Sequence, residues 1–376
     1  MAGKRHGRSS ATARPGTKSK DDTKKTSAKK VNASSLSSKP SNSQNQETGG
    51  LSRRHQQVTL NIFKDTFSSI LASDTLSTTL QTIKQALFER DFTRAFGDAD
   101  SLAVYAARWS PTRALGYASI FHRIYEQDHL QGLILPALDD QSQTTSNVLK
   151  LLCIGGGAAE IVAFGSFLGH IHQLSGTITL LDSGPWGQVV SQLQTSLTSL
   201  PQLSKYAGQA LQQSNKPMIS PAERLQSRFI QQDVLALDKV GLTEVINSTT
   251  PILATLLFTL NELFTTSGIL KTTTFLLNLT ATLPLGSLLL VVDSPGSYSE
   301  TSVGKYPMQW LLDKVLLNTE HEPVEGRAWV KLESHDSLWF RLPDQPQGLD
   351  YPIALENMRY QLHLYRLVDA ASLEDT

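Results

Sequence analysis

Three consecutive glycines, Gly155, Gly156 and Gly157, follow the apolar run Val148 to Ile154 and lead into a helical pattern with Glu160 in its first turn. A buried strand, a tight glycine turn and a helix N-terminus let backbone N–H groups approach a nucleotide-like ligand. Thr177 to Leu181 reads as a second strand, and it ends in Asp182. A carboxylate at that tip is placed to accept hydrogen bonds from both ribose hydroxyls of an adenosine held on the turn. Arg228 to Leu235 reads as a third strand leaving Asp233 at its end, where such an acid can hydrogen-bond an adenine amino group. The apolar run Ile252 to Leu260 ends in Asn261 and Glu262, and Ser287 to Val292 ends in Asp293, which opens a polar loop with Ser294, Pro295 and Gly296. Ligands of open α/β sheets sit beyond the carboxyl ends of the strands, so Asn261, Glu262 and Asp293 face the reactive end of whatever the turn holds. The bland alternative makes Asn261 a helix cap with Glu262 in the first turn.

A second group of chemistry-bearing residues precedes the glycines. Ser110-Pro111 is expected to break one helix and start another, which leaves Arg108, Trp109 and Arg113 close to a single bend. Guanidinium and aromatic groups together suit base stacking and phosphate contact, although such a pair also serves packing and capping.

The elements that position these residues alternate. Two amphipathic helices, with Val58, Ile62, Phe63, Phe67 and then Leu76, Leu80, Ile83, Leu87, come before the first strand. Five strands alternating with helices follow, and then Ser337 to Arg341 and Tyr360 to Val368 close the chain as an antiparallel pair. The expected architecture is therefore α/β and Rossmann-like, with a mostly parallel seven-stranded sheet, an antiparallel closing strand and added N-terminal helices. Residues 1–54 form a tail, 55–145 a helical region and 146–370 the Rossmann-like domain.

Composition excludes several classes. The one cysteine, Cys153, rules out an internal disulfide framework and a cysteine-cluster zinc site, so no metal is expected. The most apolar window, Phe275 to Val292, is interrupted by Asn278, Pro284 and Gly286 and does not read as a membrane span. The formal net charge of zero conceals an asymmetry. Residues 1–54 hold 13 Lys or Arg against 3 acids, net +10, leaving 21 against 31, net −10, for the rest. So basic and poorly hydrophobic a leader is expected to be disordered, and to contact RNA phosphates or direct nuclear import.

This strand order resembles that of a class I S-adenosylmethionine-dependent methyltransferase. A dinucleotide dehydrogenase turn starting at Gly155 would want Gly or Ala where Glu160 stands. The segments Leu151-Leu152-Cys153-Ile154-Gly155-Gly156-Gly157-Ala158-Ala159-Glu160, Arg108-Trp109-Ser110-Pro111-Thr112-Arg113-Ala114, Phe258-Thr259-Leu260-Asn261-Glu262-Leu263-Phe264, Asp293-Ser294-Pro295-Gly296 and Glu356-Asn357-Met358-Arg359-Tyr360 together resemble the fungal 25S ribosomal RNA uridine-N3 methyltransferase family. The resemblance covers roughly residues 55 to 370 and departs from the general methyltransferase pattern at Cys153, where an acid commonly stands. It implies S-adenosyl-L-methionine as cofactor, Gly155, Gly156, Gly157, Glu160, Asp182 and Asp233 as its contacts, and large-subunit rRNA or a pre-ribosome as partner. It also implies a nuclear and nucleolar setting, with the cytoplasm as an additional one, and the protein is expected to be a monomer. Uracil N3 carries a proton that must leave, which Glu262 or Asp293 is placed to take while Asn261 holds the neighbouring carbonyl. Arg108, Trp109 and Arg113 would then lie on the RNA side. The competing readings are a non-catalytic RNA-binding assembly factor that keeps the fold and, less well matched, a nicotinamide-dependent oxidoreductase.

Overall fold

Period-two alternation along each strand divides the core between the two faces of one sheet. The computed structural model describes residues 50–138, 145–203, 205–296, 298–301, 304–317, 324–344 and 348–374, so the basic leader lies outside the described residues as far as residue 49. The short strand β1 (Leu135–Leu138) runs antiparallel to the start of β2 (Thr145–Ile154). Next come β3 (Leu174–Asp182), β4 (Leu225–Gln231), β5 (Leu253–Leu257) and β6 (Leu288–Asp293), joined by parallel pairings. A hairpin, β7 (Tyr298–Thr301) and β8 (Gly304–Pro307), stands apart from this sheet. The closing strands are β9 (Arg327–Phe340) and β10 (Met358–Asp369), and β10 inserts antiparallel between β6 and β9. The resulting order is β4-β3-β2-β5-β6-β10-β9, the expected Rossmann-like sheet, mostly parallel with one reversed strand.

Helices cover both faces. Those of eight or more described residues are α1 (Arg53–Thr66), α2 (Leu76–Phe88), α3 (Ala99–Glu126), α4 (Ala158–His170), α5 (Gly187–Thr198), α6 (Lys239–Ile246), α7 (Gly268–Thr282) and α8 (Met308–Leu316). Leu151 and Cys153 of β2 point to one face, where Phe63 of α1, Phe121 of α3 and Phe164 and Phe167 of α4 pack. Leu152 and Ile154 point to the other, against Leu242 of α6, Phe275 of α7 and Leu312 of α8. Each fully buried phenylalanine contributes about 1.5–3 kcal/mol of apolar burial, and β5 and β6 are buried at every position, as central parallel strands must be.

Sequence boundaries shift at both sheet edges. The third parallel strand ends at Gln231 rather than Leu235. β9 begins ten residues earlier than the expected Ser337, because Lys331, Glu333, His335 and Asp336 interrupt the apolar pattern of this outer strand.

The expected break at Ser110-Pro111 does not occur. α3 continues for 28 residues with Pro111 inside it. Proline removes the N–H that would reach the carbonyl of Ala107, four residues earlier. The hydroxyl of Tyr351 donates to that carbonyl instead, at 2.6 Å, so the helix loses one internal bond without leaving a buried acceptor empty. Replacing Tyr351 with Phe should therefore lower the unfolding free energy by about 1–3 kcal/mol, read as a shifted urea midpoint at unchanged slope. An unshifted midpoint would show that Ala107 finds another donor.

Candidate active site

The turn between β2 and α4 is set by close approach. Gly155 has φ +71° and donates its N–H to Leu181 O at 2.8 Å, and Gly156 donates to the same carbonyl at 3.3 Å. A Cβ on Gly155 would stand 2.4 Å from Thr259 Oγ1, one on Gly156 2.5 Å from Cys153 Cβ, and one on Gly157 2.8 Å from the Trp186 ring. Only glycine fits all three places. Glu160 returns its carboxylate to the helix start, where Oε2 accepts the Gly157 N–H at 2.8 Å. Burial raises its carboxyl from 4.5 to about 7, against the lowering pull of that bond and of Arg113. Cys153, by contrast, points into the core, so the departure from the general pattern leaves a packing residue.

Asp182 ends β3 beside this turn. Its Oδ1 accepts the Gly184 N–H at 2.7 Å, and the Trp186 side chain also hydrogen-bonds it. Burial raises this carboxyl to about 6. Trp186 is only 6% exposed and lies against Tyr105 and Phe96, closing the space over Gly157. Asp233 is elsewhere in character: it is exposed, and its Oδ1 caps the short turn Val234–Ala236 by accepting the Leu235 N–H at 2.9 Å.

The strand tips beyond the turn form a second cluster. Asp293, at the end of β6, is 4% exposed and accepts N–H groups from Asn261 at 3.1 Å and Ser294 at 2.8 Å. Its carboxyl is raised to about 6 by burial, opposed by those two bonds. Glu262 turns away to an ion pair with Arg90 at 3.3 Å. Between them Phe258 holds φ +57°, a conformation that costs a non-glycine residue about 1–3 kcal/mol, and donates its N–H to Val292 O at 2.7 Å. Outliers of this kind concentrate where a loop must be aimed.

The three residues expected at one bend separate along the continuous α3. Arg108 pairs with Glu356 at 2.5 Å, and Trp109 is half-buried against Tyr105. Arg113 faces inward: it donates to the Tyr105 hydroxyl at 2.6 Å, lies 5.1 Å from the Phe258 ring centroid and acts electrostatically on Glu160 and Asp293. One turn further, Tyr117 is buried and its hydroxyl has no hydrogen-bond partner. Tyr117, Trp186 and Phe258 were not singled out by sequence. The only local signal was the i, i+4 spacing of Arg113 and Tyr117, which puts both on one helix face.

Together these residues fit S-adenosylmethionine. The turn admits no side chain, Asp182 offers a carboxylate at its edge, Arg113 supplies a half-buried positive charge, and the Tyr117 hydroxyl is a buried polar atom left over by the protein. Among the described residues there is no group of three metal-ligating side chains, and no helix is long and apolar enough to cross a membrane. A cavity of about 1300 Å³, lined among others by Arg54, His170, Lys216 and Arg224, shares no residue with the glycine turn or the strand-tip acids.

Glu160 makes the site pH-sensitive. Its folded carboxyl, about 7, lies above the ordinary 4.5, so its contribution to stability is complete below about pH 4.5 and disappears as pH rises towards 7. Asp182 and Asp293, each raised from 3.8 to about 6, act in the same direction over a lower window. In ligand-free protein, Glu160→Gln should flatten the fall in stability between about pH 6 and 7. Denaturant titrations showing the same fall in variant and wild type would contradict this assignment.

Comparison with known proteins agrees with the geometry. The family described as "Putative SAM-dependent methyltransferase" matches residues 63–366. The 25S rRNA (uridine(2843)-N(3))-methyltransferase of Saccharomyces cerevisiae is 30% identical over 338 residues, which are 82% of this chain and 85% of the yeast enzyme. Solved structures with overlapping topology include the CurJ carbon methyltransferase, 13% identical with a TM-score of 0.37, over 82% of this chain and 70% of that one. Another is the 16S rRNA (adenine(1408)-N(1))-methyltransferase from Catenulisporales acidiphilia, 11% identical with a TM-score of 0.33, over 59% and 88%. The assignment rests on the two sequence matches, which span most of the chain: this protein belongs to the S-adenosylmethionine-dependent methyltransferase family that includes the yeast 25S rRNA uridine-N3 enzyme.

Proposed function

We propose that the protein methylates N3 of a uridine in large-subunit rRNA during ribosome biogenesis, acting as a monomer in the nucleus and nucleolus. The observation that carries this reading is the 30% identity, sustained over 338 residues, with the yeast enzyme of that activity. S-adenosylmethionine supplies an electrophilic methyl group on sulfur. What the chain supplies is position, because in-line transfer gains most of its acceleration from orientation.

Gly155, Gly156 and Gly157 give the backbone surface for the cofactor, and Asp182 takes the ribose hydroxyls. Glu160 organises the turn through Gly157 rather than touching the ligand. Arg113 is better placed for the cofactor's carboxylate than for RNA, since it lies among Tyr105, Phe258, Glu160 and Asp293 and has no ion-pair partner among the described residues. Asp233 retains the adenine role only if the cap on Leu235 leaves its second oxygen available.

Uracil N3 sits on the Watson–Crick edge, so the target base must be unpaired or turned out of its helix. Asp293 is the proton acceptor in this reading: burial brings its carboxyl to about 6, whereas Glu262 is turned to an ion pair with Arg90. Asn261, whose backbone Asp293 fixes, is positioned to hold the adjoining carbonyl.

Nucleoside mass spectrometry of rRNA from cells lacking the protein tests the reading. 3-Methyluridine should fall by one site's worth and return with the wild-type copy, while Asp293→Asn should restore it at about one-hundredth of the rate or less. An unchanged 3-methyluridine level in the deletion strain would refute the substrate.

A further inference from the structure

Among the described residues, four arginines already have a carboxylate. Arg90, Arg94, Arg108 and Arg123 pair with Glu262, Glu89, Glu356 and Glu333. Arg341 and Arg359 differ, for among the described residues no ion pair holds either of them. Their guanidinium carbons lie 4.6 and 5.7 Å from the ring centroid of Trp339. That indole is 48% exposed and belongs to neither core. Arg359 Nε is fixed by Ser337 Oγ at 2.9 Å.

The sheet places this group at the rim of the candidate site. Trp339 on β9 stands opposite Arg359 on β10, and Gln361, two residues along β10, stands opposite Asp293. Residues two apart share a face, so Trp339, Arg359 and Asp293 look out from the same side of the sheet. With a rise of about 3.3 Å per residue and strands about 4.8 Å apart, the Trp339 backbone lies roughly 12 Å from that of Asp293. Residues 55–376 carry a net −10, which repels polyanions generally. Two unpaired guanidinia beside an exposed ring are an exception to that field.

We propose that Arg341, Trp339 and Arg359 form a docking platform for a single-stranded stretch of RNA next to the target nucleotide. A base stacks on the open part of the indole, and neighbouring phosphates meet the two guanidinia that the indole holds in place. Duplex RNA hides its base faces, so the platform selects unpaired substrate, the state in which a uracil N3 is reachable. The proposal rests on the methyl-transfer reading but concerns how RNA is held, not which atom is methylated.

The test is fluorescence anisotropy with a short labelled oligouridylate on the full-length protein, with an RNA duplex and an acidic peptide as competitors. Trp339→Ala and the double variant Arg341→Ala, Arg359→Ala should each weaken binding about ten-fold or more, and Trp339→Phe should retain most of it. All should keep wild-type melting temperature and wild-type affinity for S-adenosylhomocysteine. Duplex should compete poorly. Affinity within about two-fold of wild type in both alanine variants would overturn the platform. So would stronger competition by the acidic peptide than by unlabelled oligouridylate, which would make the patch a protein-docking site. A wild-type protein that does not bind oligouridylate also overturns it, while the cellular 3-methyluridine measurement continues to judge the methyl-transfer reading independently.

Discussion

The absence of room for a Cβ at the β2–α4 turn is the constraint from which the rest of the site follows. Thr259 from the tip of β5, Trp186 from the start of α5 and Cys153 from β2 all close on the same three glycines. Leu181 O accepts two of the turn's N–H groups, so β3 and its terminal Asp182 are locked to the turn by backbone alone. Any side chain there would push apart strand tips that must converge on one ligand. The strained Phe258 serves the same convergence, because it bends the chain after β5 so that Asn261 meets Asp293.

Electrostatics adds a second layer. Glu160, Asp182 and Asp293 are all desolvated, and burial raises each of them above the ordinary carboxylate range. Arg113 alone among nearby residues offsets this concentration, acting on Glu160 and Asp293 at once. A site with three buried acids and one half-buried guanidinium suits a ligand that carries both signs of charge, as an amino-acid sulfonium does. The same burial that makes the acids costly in the free protein gives Asp293 a pKa suited to accepting a proton.

Much of this was legible because it is local. Glycines 155 to 157, the acid at residue 182 and the apolar runs of β5 and β6 are short-range patterns, and each landed where its spacing implied. What was not legible depended on partners far along the chain. Pro111 stays inside a helix because Tyr351, 244 residues away, satisfies Ala107. Arg108 is taken by Glu356 and Glu262 by Arg90, across separations of 248 and 172 residues. Trp186 was invisible because its value lies in covering Gly157 and bonding Asp182, and nothing in a helix N-terminus announces that.

The proposed function requires the cofactor to lie across the glycine turn with its ribose on Asp182. Calorimetric titration of S-adenosylhomocysteine into wild-type protein and a folded Asp182→Ala variant tests this most directly. The structure predicts a weakening in the variant of about 1.5–3 kcal/mol, the loss of hydrogen bonds to a charged acceptor, which is roughly ten-fold to more than a hundred-fold in Kd. Equal affinities in the two proteins would contradict it.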